Sequence, residues 1–269
     1  VQVNLRNQRK LLIVDGKEAF TGGINIGQDN VSMRGRPPIR DYHFALTGPI
    51  VQELQYSFLR DWHFMTDAEP ETLLHEGHFP ELQETGRSLV RVVNSGPTTS
   101  EYGIAADAFF EFITSAREQI LAVTPYFVPT LDIVQAFRAA AMRGVDTRLV
   151  LPRDNNHVYA GLAGRALYEE LLKAGVPIWE RKPPFMHAKA LVVDHSVAMV
   201  GSANLDQRSL RLSYETNLIV HDEAFVYNLQ QVLKHEIEHS ARIERTTWAH
   251  RPMRQRLLEN FCNLMTPVL

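Results

Sequence analysis

Short apolar runs alternate along this chain with longer stretches of helical period. Leu11-Leu12-Ile13-Val14 and Glu18 to Thr21, with Asp15-Gly16-Lys17 between them, read as a hairpin. A loop rich in Gly, Asn, Arg and Pro runs from Gly22 to Pro38, and Tyr42 to Leu46 alternates as a strand. Gly48-Pro49 opens an amphipathic helix on which Ile50, Leu54, Phe58 and Trp62 share a face, with Trp62 and His63 as packing residues. Residues 65–87 read as a polar loop with His75 and His78 solvated. From Leu89 the alternation becomes regular. Strands are predicted at Leu89–Val93, Gln119–Val123, Asp146–Leu151, Val176–Trp179, Leu191–Val193, Val197–Val200 and Asn217–His221. Helices are predicted from Ile104 to Arg117, from a Thr130 cap to Met142, from His157 to Ala174 and from Ala224 to Ile243. Strands interleaved with such helices imply a layered α/β fold.

One strand pair carries chemistry. Met186-His187-Ala188-Lys189-Ala190 leads into the apolar run Leu191–Val193, Asp194-His195-Ser196 breaks it, and the return strand ends at Gly201-Ser202-Ala203-Asn204. Residues two apart on a strand face the same way, so His187 and Lys189 converge. Gly201 and Ser202 let backbone pass close by, and Asn204 adds an amide donor. An imidazole beside a fixed cation and an amide suits attack on a phosphodiester. The pattern occurs twice at one constant offset: Lys10 pairs with Lys189, Asp15 with Asp194, Gly22 with Gly201 and Asn25 with Asn204. The first copy has Gly23 where the second has Ser202, and Gln8 where the second has His187.

Composition narrows the classes. A chain of 269 residues, 45% hydrophobic and 22% charged, has ample material for a core. A net charge of −3 leans against a general nucleic-acid binder, so no nucleic-acid partner is expected. The single Cys262 excludes an intramolecular disulfide, and no apolar run is long enough to span a membrane.

The doubled His-x-Lys…Asp…Gly-Ser-x-Asn pattern resembles the signature of the phospholipase D superfamily. Phe20 to Gly27, Asp41-Tyr42, Gly201 to Ser209, Tyr214 to Leu218, and the tail residues Trp248, Arg251 and Pro267-Val268-Leu269 resemble its bacterial cardiolipin synthase branch. The resemblance implies a layered α-β-α fold with a mixed sheet and two pseudo-repeated halves. The first half, 1–87, reads as truncated and the second, 88–269, as complete, because the family precedes its first motif with a strand-and-helix half-domain. It implies joining of two phosphatidylglycerols into cardiolipin with release of glycerol, through a phosphohistidine and without metal or cofactor. It implies an anionic phospholipid partner and the bacterial cytoplasmic membrane as location, peripheral or anchored through a segment preceding Val1.

Carried residue by residue, the resemblance makes His187, Lys189, Asp194, Asn204, Lys10, Asp15 and Asn25 the candidate catalytic set, with Gln8 at the family's other His position. Lys10, Lys189, Asn25 and Asn204 would hold the phosphoryl oxygens, and Asp15 and Asp194 would tie the strand turns. Asp41 and Glu215 are candidate carboxylates behind the imidazoles, and Ser202, Ser209 and Arg208 are candidate donors. A glutamine is neither a useful nucleophile nor a base near neutrality. Gln8 therefore marks an engineered substitution, a natural inactive homologue that binds phospholipid or a partner, or a dimer joining His187 from two chains. A hydrolytic phospholipase D or a nuclease of the same superfamily remains the nearest chemical alternative, since water exclusion decides between transfer and hydrolysis.

A rival of another class is His235-Glu236-Ile237-Glu238-His239, which fits a zinc-protease pattern, with Glu259 twenty residues on as a third ligand. Pro125 to Pro129, Tyr159 to Ala163 and Pro183 to Met186 are candidate apolar surfaces for lipid, and Arg34, Arg36 and Arg40 candidate headgroup contacts.

Overall fold

A computed structural model describes residues 6–32 and 37–265. The chain opens with β1 (Leu11–Val14), β2 (Glu18–Gly22) and β3 (His43–Thr47), an antiparallel sheet of that order. Helix α1 (Ile50–Thr66) and the single turn α2 (Pro70–Leu73) follow. Then come β4 (Leu89–Ser95), α3 (Ile104–Ser115), β5 (Gln119–Val123), β6 (Phe127–Val128), α4 (Leu131–Met142) and β7 (Asp146–Pro152). Helices α5 (Val158–Ala166) and α6 (Tyr168–Ala174) lead to β8 (Ile178–Arg181), β9 (Ala190–Val193) and β10 (Val197–Gly201). The chain continues through β11 (Leu205–Asp206), α7 (Gln207–Arg211), β12 (Glu215–His221), α8 (Glu223–Glu238), β13 (Ser240–Arg242), α9 (Arg245–Ala249) and α10 (Met253–Leu264).

Eight strands form one mixed sheet in the order β13-β8-β7-β5-β9-β10-β12-β4, parallel through β5, β7 and β8 and antiparallel elsewhere. Strict alternation splits its side chains between two faces. Ile120, Ala122, Leu191, Val193 and Met199 pack under α3, α4 and α6 with Phe109, Ile113, Phe137 and Leu171. Leu121, Val123, Val192, Ala198 and Val200 pack on the other face with Val226, Leu229 and Leu233 of α8. Ala19, Val51 and Leu54 enter this second cluster, so the β1–β3 sheet and α1 lie on that face of the large sheet. The layered mixed α/β architecture expected from the sequence is what the chain adopts. Among the described residues no helix is long and apolar enough to cross a membrane.

Several elements depart from the sequence reading. The helix expected over His157–Ala174 divides at Leu167, whose N–H bonds to Gly164 O. The close approach is at Gly164, where an added Cβ would stand 2.7 Å from the Phe127 carbonyl. The helix expected to reach Ile243 stops at Glu238, because Ser240–Arg242 instead pairs with β8 and completes the sheet edge. The helix expected to reach Arg117 ends at Ser115, because the Asp194 carboxylate takes the N–H groups of Arg117, Glu118 and Gln119. The strand expected from Asn217 begins at Glu215, which pairs with Ser95. Helix α10 was not anticipated.

The internal repeat is also structural. β1-β2-β3 and β9-β10-β12 have the same antiparallel order. Asp15 and Asp194 take the same left-handed turn, each at φ 52°. Gly22 (φ 151°) and Gly201 (φ 157°) each lie against the neighbouring strand, where a Cβ would come within 2.4 Å of the Tyr42 or Thr216 carbonyl. Only glycine meets both demands at these corners.

Candidate active site

The two copies meet at one cavity. His187 donates its backbone N–H to Arg40 O (2.7 Å), and Gln8 donates its own to Tyr214 O (2.8 Å). Each motif thus docks on the residue preceding a carboxylate of the other half: Asp41 behind His187, and Glu215 behind Gln8. Arg9, between Gln8 and Lys10, points away and is held by Asp61 (2.5 Å) and Glu101 (2.9 Å), which fixes its neighbours toward the cavity. The cavity is about 760 Å³ and is lined by Gln8, Lys10, Asn25, His187, Lys189, Ser202, Asn204, Ser209 and Glu215. Nearly the whole candidate set is therefore brought together.

The His187 side is complete. Its Nδ1 is 2.7 Å from Asp41 Oδ2, and the carboxylate is 1% exposed. An ionised carboxylate only accepts, so Nδ1 carries the proton and Nε2 is left for proton traffic. Burial lowers the His187 pKa, against the opposing bond to Asp41. The imidazole is consequently neutral near pH 7. Lys189 Nζ bonds the His187 carbonyl and lies 3.1 Å from Nε2, and burial brings its pKa down to about 7.

The Gln8 side is incomplete. Glu215 accepts from Ser202 Oγ at 2.5 Å through Oε2, while its buried Oε1 has no partner. Burial raises this carboxyl to about 8, so it is largely protonated near neutrality. Lys10 bonds the Gln8 carbonyl (2.6 Å) and its pKa is lowered by burial. Asn204 Nδ2 donates to Ser209 Oγ (3.2 Å), and Ser209 N donates to Asp206 Oδ1 (2.7 Å), the cap of α7. The Gly23 departure has a cause: a Cβ there would lie 2.2 Å from Asp41 Oδ1, so the carboxylate occupies the space a serine would need.

Asp194 and Asp15, grouped with the catalytic set by the motif, tie the strand turns as expected and do not line the cavity. Asp194 sits at the far end of β9, bonded to backbone N–H groups, and Asp15 occupies the matching turn. Both are turn residues. Arg40 is not free for a headgroup, since its guanidinium is bound to Glu236 (Nε–Oε1 3.0 Å). Arg34, Arg36 and Pro267-Val268-Leu269 lie outside the described residues. The zinc reading fails at Glu236, which is fully buried and bound by Arg40, Arg181 and Tyr42, so it cannot serve as a base. The proposed third ligand, Glu259, is buried against Arg251 (2.8 Å). Among the described residues no group of three or more His, Cys, Asp or Glu is placed to hold a metal. His75 and His78 are exposed, as expected, and bond backbone groups around a 3-10 turn.

The sequence reading missed Asn156, His157 and Asp206, all lining the cavity, and took Tyr126 only as apolar surface. The Tyr126 hydroxyl donates to Asn156 Oδ1 (2.7 Å), and its ring stands edge-on to His187 at 6.1 Å. None of these positions belongs to either motif; Asp206 falls within the resembling stretch Gly201 to Ser209, and nothing local in the sequence marks Asn156 or His157.

The charges of the cavity predict a pH dependence for anion binding. Below about pH 7 Lys189 is cationic and Glu215 neutral; as pH rises past about 8, Lys189 has lost its charge and Glu215 has gained one. Both changes disfavour an anion. Dimethyl phosphate, a monoanion across this range, is expected to bind at least about tenfold more weakly at pH 9 than at pH 6. Calorimetric titration of the chain checks this, and Lys189→Met should flatten the profile.

A family model described as cardiolipin synthase, PLD-like domain, matches residues 109–237. A cardiolipin synthase of Alkalihalophilus pseudofirmus is 36% identical over 270 residues, covering 99% of this chain and 53% of that protein. One of Geobacillus kaustophilus is 35% identical, covering 100% of this chain and 53% of its own length. The chain spans about half the length of these curated relatives. Among solved structures, the phosphatidylserine synthase of Haemophilus influenzae superposes with a TM-score of 0.72 at 14% identity, over 100% of this chain and 72% of that one. Nuc, a phospholipase D family member of Salmonella typhimurium, covers 59% of this chain and 99% of its own at a TM-score of 0.51 and 21% identity. At these identities the two solved structures share the fold.

Proposed function

The chain belongs to the phospholipase D superfamily, in its cardiolipin synthase branch, and from that premise we propose that its cavity binds the headgroup phosphodiester of phosphatidylglycerol for phosphatidyl transfer. The observation that carries this reading is the meeting of both motif copies in one cavity, each docked beside a carboxylate of the other half. Lys10, Lys189, Asn25 and Asn204 hold the non-bridging oxygens. A histidine at position 8 would attack phosphorus through a ring nitrogen, and the bond from phosphorus to the glycerol oxygen would break. His187 would act from its imidazolium form, in which the ring already protonated at Nδ1 toward Asp41 takes a second proton on Nε2, and it would give that Nε2 proton to the leaving oxygen. The hydroxyl of a second phosphatidylglycerol would then surrender its proton to His187 and displace the histidine, forming cardiolipin. Asp41 holds the His187 ring through Nδ1 and supports the cation that forms. With Gln8 in the attacking position, this chain retains substrate binding and the acid–base partner but lacks the nucleophile.

The test follows products rather than rate. The chain carrying Gln8→His is incubated with phosphatidylglycerol vesicles, and cardiolipin, phosphatidic acid and glycerol are measured. Cardiolipin with one glycerol released per molecule is the expected result. Phosphatidic acid with glycerol would make the reaction hydrolysis. Neither product, in a variant that binds dimethyl phosphate as the parent does, would defeat the substrate assignment.

A further inference from the structure

Helix α10 is inside out. Its inward side carries polar groups: Glu259 accepts from Arg251 Nε and Gln255 Nε2 at 2.8 Å each, and Asn263 donates to the Ala163 carbonyl at 3.1 Å. Its outward side carries Met253 (65% exposed), Leu257 (62%), Phe261 (62%) and Leu264 (78%), which share one helical face at spacings of three and four. Leu258 flanks them, half-exposed. A helix facing water has the reverse arrangement, so this face is made to meet something apolar.

What it meets is indicated by the neighbours. α10 packs on α5 through Cys262 and Ala163, in a small cluster with Val128. Val128 lines the cavity, as do Val158 and Tyr159 at the start of α5, and the latter two are also exposed. α10 is therefore fixed, through buried Cys262 and Ala163, to the same helix α5 whose exposed first residues Val158 and Tyr159 form the lip of the candidate active site. The charges on the outer part of the helix are cationic. Arg254 is exposed and Arg256, 3.6 Å from Glu169, partly so, whereas Glu259 is buried and neutralised by Arg251. An apolar face flanked by arginines suits the surface of an anionic bilayer, with the helix lying in the headgroup plane.

We infer that α10 is an interfacial helix that seats the chain on an anionic phospholipid bilayer and turns the mouth of the cavity toward the lipid. The identity of the lipid rests on the phosphatidyl-transfer reading. The geometry has a use for it: a diacyl substrate can lift its headgroup into the cavity beside Val158 and Tyr159 while its chains stay in the membrane.

Flotation of the chain with vesicles of phosphatidylglycerol and phosphatidylcholine tests the surface without any turnover. The combined Leu257→Ser, Phe261→Ser and Leu264→Ser variant is expected to partition at least about tenfold more weakly, with an unchanged melting temperature since all three side chains are exposed. In a Phe261→Trp variant, brominated acyl chains should quench the added fluorescence. Equal partitioning of the triple variant, no binding by the parent chain, or a dimer in solution that the triple variant dissociates would each overturn the inference. Loss of binding in the triple variant, together with failure of the Gln8→His chain to make cardiolipin, would leave the surface standing and remove the chemical reading. Cardiolipin synthesis by the Gln8→His chain with vesicle binding unaffected by the triple variant would do the opposite.

Discussion

Replacing Gln8 by His is expected to raise phosphatidyl transfer by this chain at least about a thousandfold, because it supplies a nucleophile whose loss typically costs that much or more. The surroundings are already arranged for an imidazole. The backbone N–H of Gln8 bonds the Tyr214 carbonyl as that of His187 bonds the Arg40 carbonyl. Glu215 follows the Tyr214 that Gln8 docks on, as Asp41 follows Arg40, and its buried Oε1 has no hydrogen-bond partner. Burial holds this carboxyl near 8, so with Gln8 in place it is mostly a neutral acid bound to Ser202. A histidine nitrogen bonded there would favour the ionised carboxyl and lower its pKa. The substitution is therefore expected to change two readouts together: turnover rises, and the alkaline loss of dimethyl phosphate binding shifts as Glu215 leaves its present range. A structurally tolerated histidine that leaves both readouts where they are would refute the view of Gln8 as the missing half of a working pair. Gln8→Asn, which cannot attack phosphorus, should leave turnover at the parent level.

How much of this could be read beforehand depended on how local the signal was. The strands β5, β7, β9 and β10 announce themselves as apolar runs because both faces of the sheet are covered, one by α3, α4 and α6 and the other by α8 and α1. The doubled motif is local too, with its glycine corners and turn aspartates, and it led directly to His187, Lys189, Lys10, Asn25 and Asn204. Asp41 and Glu215 came only through resemblance, since each acts on a motif far away in sequence. What failed to appear was decided by distant partners. The division between α5 and α6 comes with the tight approach of Gly164 to Phe127, and β13 is a strand because β8 offers an edge. Helix α10 eluded a reading that looks for an apolar face to bury, because it buries its polar one.

Glu236 would be the base only in the rival zinc reading. It is expected instead to be one of the most sensitive positions in the chain. Its Oε1 accepts from Arg40 Nε (3.0 Å) and from the Tyr42 hydroxyl (3.3 Å), and its Oε2 accepts from Arg181 Nε (2.7 Å). The carboxylate is wholly buried and Arg181 nearly so, and the two arginines lower its pKa against the cost of burial. Glu236→Leu would leave Arg181 buried with no carboxylate, and removing one partner of such a network costs about 3–5 kcal/mol. Urea unfolding should read that loss directly. The effect should also reach the site. Arg40 is held between Phe185 and His187 by its backbone (N to Phe185 O 2.8 Å, O to His187 N 2.7 Å), and the next residue is Asp41. Once the Arg40 side chain is released, the Asp41–His187 pair loses its alignment. In the Gln8→His background, transfer should therefore fall at least about tenfold in Glu236→Leu, measured well below its melting temperature, where the folded fraction is unchanged. Glu236→Asp keeps the charge and should recover part of both losses. Stability lost with transfer intact would confine Glu236 to the core, and added zinc should alter neither quantity, because both oxygens of the carboxylate are already taken by the arginines.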